Sequence, residues 1–160
     1  MNLYHYSGKI LKRLTPKPQY LHKDNFKPSG FWVSIEDDWE RWCKQEDFGV
    51  QSLKYKHKVK LTDKANVYLI SNPAELATFT KHYTSSRYKN GAYGYIFWQD
   101  VAIGYDGIII APYLWPCRSE YSWYYPWDVA SGCIWNFSVI DSIVLVETLE
   151  LEERKDGTNG

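Results

Sequence analysis

Four side chains in this sequence carry chemistry that a purely apolar core does not need. They are His5, between two tyrosines in LYHYS, Trp32 and Ser34 in SGFWVS, and Asp128 between Trp127 and Val129. A neutral imidazole donates from one nitrogen and accepts at the other, which suits His5 to hold a sugar hydroxyl. An indole such as Trp32 can stack on a base or another flat heteroaromatic. A carboxylate such as Asp128 can stabilise a developing cation or orient a hydroxyl. Each residue has a plainer use too. His5 can be packed and satisfied among its aromatic neighbours. The Ser34 hydroxyl is best read as the cap of the helix that follows, Trp32 can serve the core, and Asp128 can close a turn. Asp106, in YDGI, has the Asp-Gly sequence of a turn at a strand entrance.

The segment WPCRSEYSWYYPW, residues 115–127, holds six aromatic side chains in thirteen positions. Large apolar bodies of this kind must be buried somewhere, while the polar tips of Tyr124, Tyr125 and Trp127 suit a wall that is half dry and half wet. With Tyr6 and Trp32, this stretch describes a pocket for a flat, polar ligand, a nucleotide being the obvious candidate. An aromatic-rich core with a loop folded over it explains the same residues.

The elements that must position these groups are mostly strands. Leu3–Ser7 and Phe31–Ser34 read as short strands, the second entered through the Ser29-Gly30 turn. A helix is expected over about Ile35–Glu46, with Trp39, Trp42 and Cys43 on one face. Lys54–Leu61 alternates: lysines at 54, 56, 58 and 60 on one side, Tyr55, His57, Val59 and Leu61 on the other. That lysine stripe reads as a solvated edge strand, or else as a docking surface for nucleic acid or an acidic partner. Val67–Ile70 is a further strand. Asn72-Pro73-Ala74-Glu75 opens a helix with a capping side chain, proline in the first turn and Glu three residues after the cap. A helical turn over Phe97–Ala102, a buried run Ile108–Ala111 and strands Gly132–Phe137 and Ile143–Leu151 complete the pattern. The expectation is one α+β domain over residues 1–151: a strand-rich, mostly antiparallel split-sheet core with two main flanking helices. Residues 152–160 read as a disordered tail.

At 160 residues the chain suits one domain. Its 19 basic and 19 acidic residues cancel, so no global field draws it to nucleic acid or membrane. Cys43, Cys117 and Cys133 leave one unpaired under any pairing and show no metal-ligand spacing, so reduced thiols and no metal are expected. With no signal core and no apolar run near the ~18 residues of a membrane span, the reading is a cytoplasmic protein without membrane contact. Phosphate-binding glycine loops, a nucleophile elbow and HExxH are absent from the sequence.

LYHYS, SGFWVS and WDVASGCIWNFSVI, in this order, resemble the histidine-containing branch of the ADP-ribosyltransferase fold. The resemblance spans most of the chain through three short motifs. It implies an intracellular enzyme that uses NAD as substrate and transfers ADP-ribose to a protein or nucleic acid, as a phage or bacterial effector would. His5 would bind a ribose hydroxyl, Trp32 would pack on nicotinamide, and residues 115–127 would form the target-recognition loop. Tyr6, Ser34, Tyr125 and Trp127 would complete the NAD site. Where the family carries an acidic or amide residue at the start of the late strand, this chain has Ser131-Gly132. The nearest acid is Asp128, which with His5 would be catalytic. Against this stands a non-catalytic module that sequesters a nucleotide or docks its aromatic loop on a partner as an inhibitor. A third reading, single-stranded nucleic-acid binding through that loop and the lysine stripe, predicts steep salt dependence and sits badly with zero net charge.

Overall fold

A computed structural model of the chain describes residues 1–15, 26–84 and 95–151. Residues 16–25, 85–94 and the tail expected over 152–160 lie outside these residues. The protein is α+β. Its strands are β1 (Leu3–Ser7), β2 (Phe31–Ile35), β3 (Tyr55–Leu61), β4 (Val67–Ile70), β5 (Gly107–Ile110), β6 (Ser131–Ile134) and β7 (Ile140–Thr148). Its helices are α1 (Asp38–Glu46), α2 (Pro73–Tyr83) and α3 (Trp98–Gly104).

All seven strands join one mixed sheet in the order β4-β5-β6-β2-β1-β3-β7. β4 and β5 run parallel, and the other five pairings are antiparallel. The sheet is continuous rather than split, but one of its pairings is short. β1 pairs with β2 only at Leu3–Ile35 and Tyr4–Ser34, whereas it stays on β3 through Ser7. Beyond Tyr4 the two central strands part.

Alternation along the strands divides the core. Trp32, Ile108, Ile110 and Cys133 face a large cluster built with α2, α3 and the 113–127 segment. Val33, Ile109 and Val59 face a second cluster on the opposite side. Under α1, Cys43 packs with Leu53 and Leu149, flanked by Trp39 and Trp42, whose rings stack at 5.2 Å. The predicted apolar face of that helix is therefore formed.

α2 begins as its sequence dictates: Asn72 Oδ1 accepts the Glu75 N–H at 2.9 Å and Pro73 occupies the first turn. α1 starts three residues later than expected, at Asp38. Ile35 belongs to β2, and Glu36 takes a left-handed backbone (φ 49°) that no helix continues. Its carboxylate holds the Asn2 N–H at 2.8 Å. The N-cap is Asp37, whose side chain makes no cap bond; the Ser34 hydroxyl instead accepts the first-turn Trp39 N–H from β2 at 3.1 Å. The turn expected near Phe97–Ala102 is a third helix, α3.

Two strand boundaries move for one reason. Asp106 accepts Trp135 and Asn136 N–H groups on its carbonyl and the Asn136 and Asn66 groups on its carboxylate. This knot ends β6 at Ile134 and makes the chain turn before β7. β3, finally, is not an edge strand: β1 and β7 flank it on both sides. Its lysines include Lys56, whose ammonium lies 3.6 Å from Glu40 and 4.4 Å from the Tyr4 ring centre.

Candidate functional site

Where β1 leaves β2 the backbone ladder stops and a side chain bridges the strands instead. His5 Nδ1 lies 2.6 Å from the Trp32 carbonyl oxygen. A carbonyl only accepts, so Nδ1 carries the proton and Nε2 is the nitrogen left to accept from a ligand. The ring stacks on Phe31 at 4.1 Å. Burial lowers its pKa below the ordinary histidine value; the Trp32 carbonyl opposes this and nearby His57 adds to it. The imidazole is thus biased toward its neutral form.

Beneath it, fully buried His57 fixes the strand. Its Nδ1 lies 3.1 Å from the His5 carbonyl oxygen, and its Nε2 accepts the Leu11 N–H at 2.9 Å. The tautomer is set by these two partners.

The parting opens a cavity of about 300 Å³. It is lined by Tyr4, His5 and Tyr6 of β1, Trp32 and Ser34 of β2, and Lys27, Trp39, Trp127, Asp128 and Ser131 around them. Six of the seven residues singled out in the sequence, His5, Tyr6, Trp32, Ser34, Trp127 and Asp128, meet there. Tyr125 does not. It is exposed, its ring 5.0 Å from the Arg118 guanidinium.

The walls have distinct characters. Trp32 and Trp127 meet edge to face at 5.1 Å and form an aromatic corner. Tyr6 donates from its hydroxyl to Glu40 at 3.3 Å, and burial with that carboxylate pushes its pKa far up. Lys27 places its ammonium 5.4 Å from the Trp32 ring centre. Burial lowers the Lys27 pKa, partly offset by Asp128. Asp128 is a quarter exposed and lies 3.8 Å from Arg118. Lys27 was not anticipated; the signal available was a cation at the entry of β2, in KPSGFWVS.

The 115–127 segment divides between two fates. Trp123, Tyr124 and Trp127 are buried; of the wall expected of Tyr124 and Trp127, Tyr124 does not reach the cavity, whereas the Trp127 ring lines it. Trp123 Nε1 donates to Thr80 Oγ1 at 2.9 Å, and the Tyr124 hydroxyl accepts the Leu114 N–H at 2.9 Å. The Trp127 indole N–H is the one buried side-chain polar atom without a partner among the described residues. Trp115 and Tyr125 remain exposed, their ring centres 6.0 and 5.0 Å from the Arg118 guanidinium.

The three cysteines are free and buried. Burial raises their thiols, Cys43 to about 11, and holds them protonated and unreactive. No group of three or more metal-ligating side chains gathers among the described residues, and none of their helices is long and apolar enough to cross a membrane. No family model, curated protein or solved structure matches the chain.

Proposed function

We propose that this cavity binds the nicotinamide–ribose half of NAD and that the protein is an ADP-ribosyltransferase-like enzyme. One observation carries the reading: His5, Trp32 and Asp128, more than a hundred residues apart at the extremes, converge on one cavity at the break between β1 and β2. About 300 Å³ is the small end of ligand pockets and fits a base with its sugar better than a whole dinucleotide. In this reading the Trp32–Trp127 corner holds the nicotinamide ring. Neutral His5 accepts from a ribose hydroxyl at Nε2, and Lys27 faces the phosphates.

The chemistry is then heterolysis of the ribose–nicotinamide bond. The bonding electron pair leaves with nicotinamide, positive charge develops on the ribose, and the acceptor's nucleophile adds there and gives up its proton. Among the described residues Asp128 is the one carboxylate lining the cavity, and in this reading it stabilises that charge. The acceptor, a protein or nucleic acid, approaches past Trp115 and Tyr125. The mechanism asks for no metal.

A second reading, a nucleotide-binding module without transfer, is favoured by the Arg118–Asp128 contact at 3.8 Å, which offsets the charge the mechanism would use. Ser131 occupies the position where the resembled family carries its acid.

Thermal unfolding with NAD, for wild type and His5→Ala, tests binding. At about 100 times its dissociation constant, NAD stabilises by roughly 2.7 kcal/mol, a rise of several degrees. That rise is expected for wild type and not for a folded His5→Ala. No shift with millimolar NAD overturns the proposal. A shift without nicotinamide release leaves the binding module as the function.

A further inference from the structure

We propose that the outer edge of β4 is a self-pairing surface, through which two copies of this chain join antiparallel into one continuous sheet. The inference is independent of the nucleotide reading, because β5 and β6 separate β4 from the cavity-bearing strands.

Among the described residues β4 is the last strand of the sheet, with β5 as its neighbour on one side. The Ala111 N–H donates to the Ile70 carbonyl at 3.0 Å, so the main-chain groups of Ile70 face β5. Strand alternation turns those of Tyr68 the same way and sends those of Val67 and Leu69 outward. The next outward donor, the Ser71 N–H, is already taken by Glu75 Oε2 at 2.7 Å. Among the described residues, the outward N–H and C=O of Val67 and Leu69 have no main-chain partner.

Those groups are self-complementary. A two-fold axis at Tyr68 sets Val67 opposite Leu69 of the second copy, and Leu69 opposite its Val67. Each such pair exchanges two hydrogen bonds, so four bonds satisfy every outward group on both strands. The side chains agree. Leu69, half exposed, meets Val67 of the second copy on one face, and the two Tyr68 rings meet on the other.

Sheet edges are ordinarily protected by charge, proline or bulges. VYLI has none of these. The opposite edge, β7, carries Asp141 and Glu147 and pairs with β3 through register shifts. Beside β4 a shallow cavity of about 480 Å³, walled on the helix side by Asn72, Ala74, Glu75 and Thr78, lies open to an incoming strand.

Sedimentation velocity from about 1 to 100 μM tests the proposal on wild type, Leu69→Pro and Leu69→Lys, covering the micromolar range expected of a small interface. Proline removes an outward N–H that makes no bond within the strand pair, and edge positions tolerate it. Lysine adds two like charges to the joint without touching the backbone. Wild type is expected to form a dimer, and either variant to raise its dissociation constant about tenfold or more, with unchanged circular dichroism. A monomeric wild type at 100 μM overturns the proposal. Dimers unaffected by the variants overturn it too. Should Leu69→Pro unfold, Leu69→Lys decides alone.

Discussion

His5 and Trp32 are joined across the gap between β1 and β2 by a 2.6 Å contact from Nδ1 to a main-chain carbonyl. The same imidazole that bridges the strands lines the cavity, so its protonation state bears on both stability and ligand binding. Its folded pKa lies below the ordinary 6.5, chiefly through burial. Between the folded and unfolded values the unfolded state binds more protons, so stability rises with pH there. It is complete above the unfolded value and is lost as pH falls through about 6.5 toward the folded one. Chemical denaturation of wild type should therefore show falling stability from pH 7.5 to 5. His5→Gln, which cannot titrate, should give a flatter profile over the same window. His22, His57 and His82 are common to both proteins, so the difference between profiles isolates His5. Parallel profiles would refute this account.

Asp128 separates catalysis from binding. Asp128→Asn keeps the side-chain volume and removes the charge. If the carboxylate stabilises developing positive charge, nicotinamide release falls by about a hundredfold or more while the NAD-induced thermal shift persists. Arg118→Ala should alter stability by no more than about 1 kcal/mol, because the ion pair is partly exposed. Release that is unchanged in Asp128→Asn would remove Asp128 from the chemistry.

What the sequence disclosed was local. The Asn72 cap, the proline at the start of α2, the alternation of β3 and the Trp39/Trp42/Cys43 face each depend on neighbours a few positions away. What it hid was set by distant strands. The lysine stripe looks like an edge until β1 and β7 close on both sides of β3, and nothing within 54–60 encodes that. Ile35 reads as helix until pairing with Leu3 claims it for β2. The aromatic segment was ambiguous for a related reason. Trp123 and Trp115 carry the same ring, and only the position of Thr80 and its helix decides which is buried. The cavity was legible in six residues because each carries an aromatic or polar side chain in a strand or within four residues of a strand's start; Lys27 stands equally close to β2, but a lysine in a loop reads first as a solvated charge.

Two buried tryptophans make a paired test of hydrogen bonding. Trp123 Nε1 has Thr80 Oγ1 as partner, whereas the Trp127 N–H has none. Substitution by Phe removes comparable ring volume at both sites. At Trp123 it also breaks a bond, and at Trp127 it removes an unsatisfied donor. Trp127→Phe should cost less than Trp123→Phe by about 1 kcal/mol, measured in urea or guanidinium. Equal losses would show that the Trp127 N–H has a partner in solution.

Gly132 sets how closely β5, β6 and β2 can approach. It pairs with Val33 on one side and Ile109 on the other, at the middle of the sheet. A Cβ there would lie 2.6 Å from Ile109 Cγ1, 2.7 Å from the Ile108 carbonyl oxygen and 3.3 Å from Val33 Cγ2. The side chains could rotate, but the Ile108 carbonyl belongs to the central ladder and can move only with β5. Gly132→Ala should therefore destabilise the fold by about 1–3 kcal/mol, the range for overpacked cores. It should also disturb the cavity through Ser131, the neighbouring residue that lines it. Gly8→Ala is the control: an added Cβ there meets nothing within 4 Å, and stability should stay within about 0.5 kcal/mol of wild type. If both substitutions proved equally mild in thermal and chemical unfolding, the strand spacing at Gly132 would be looser than this geometry requires.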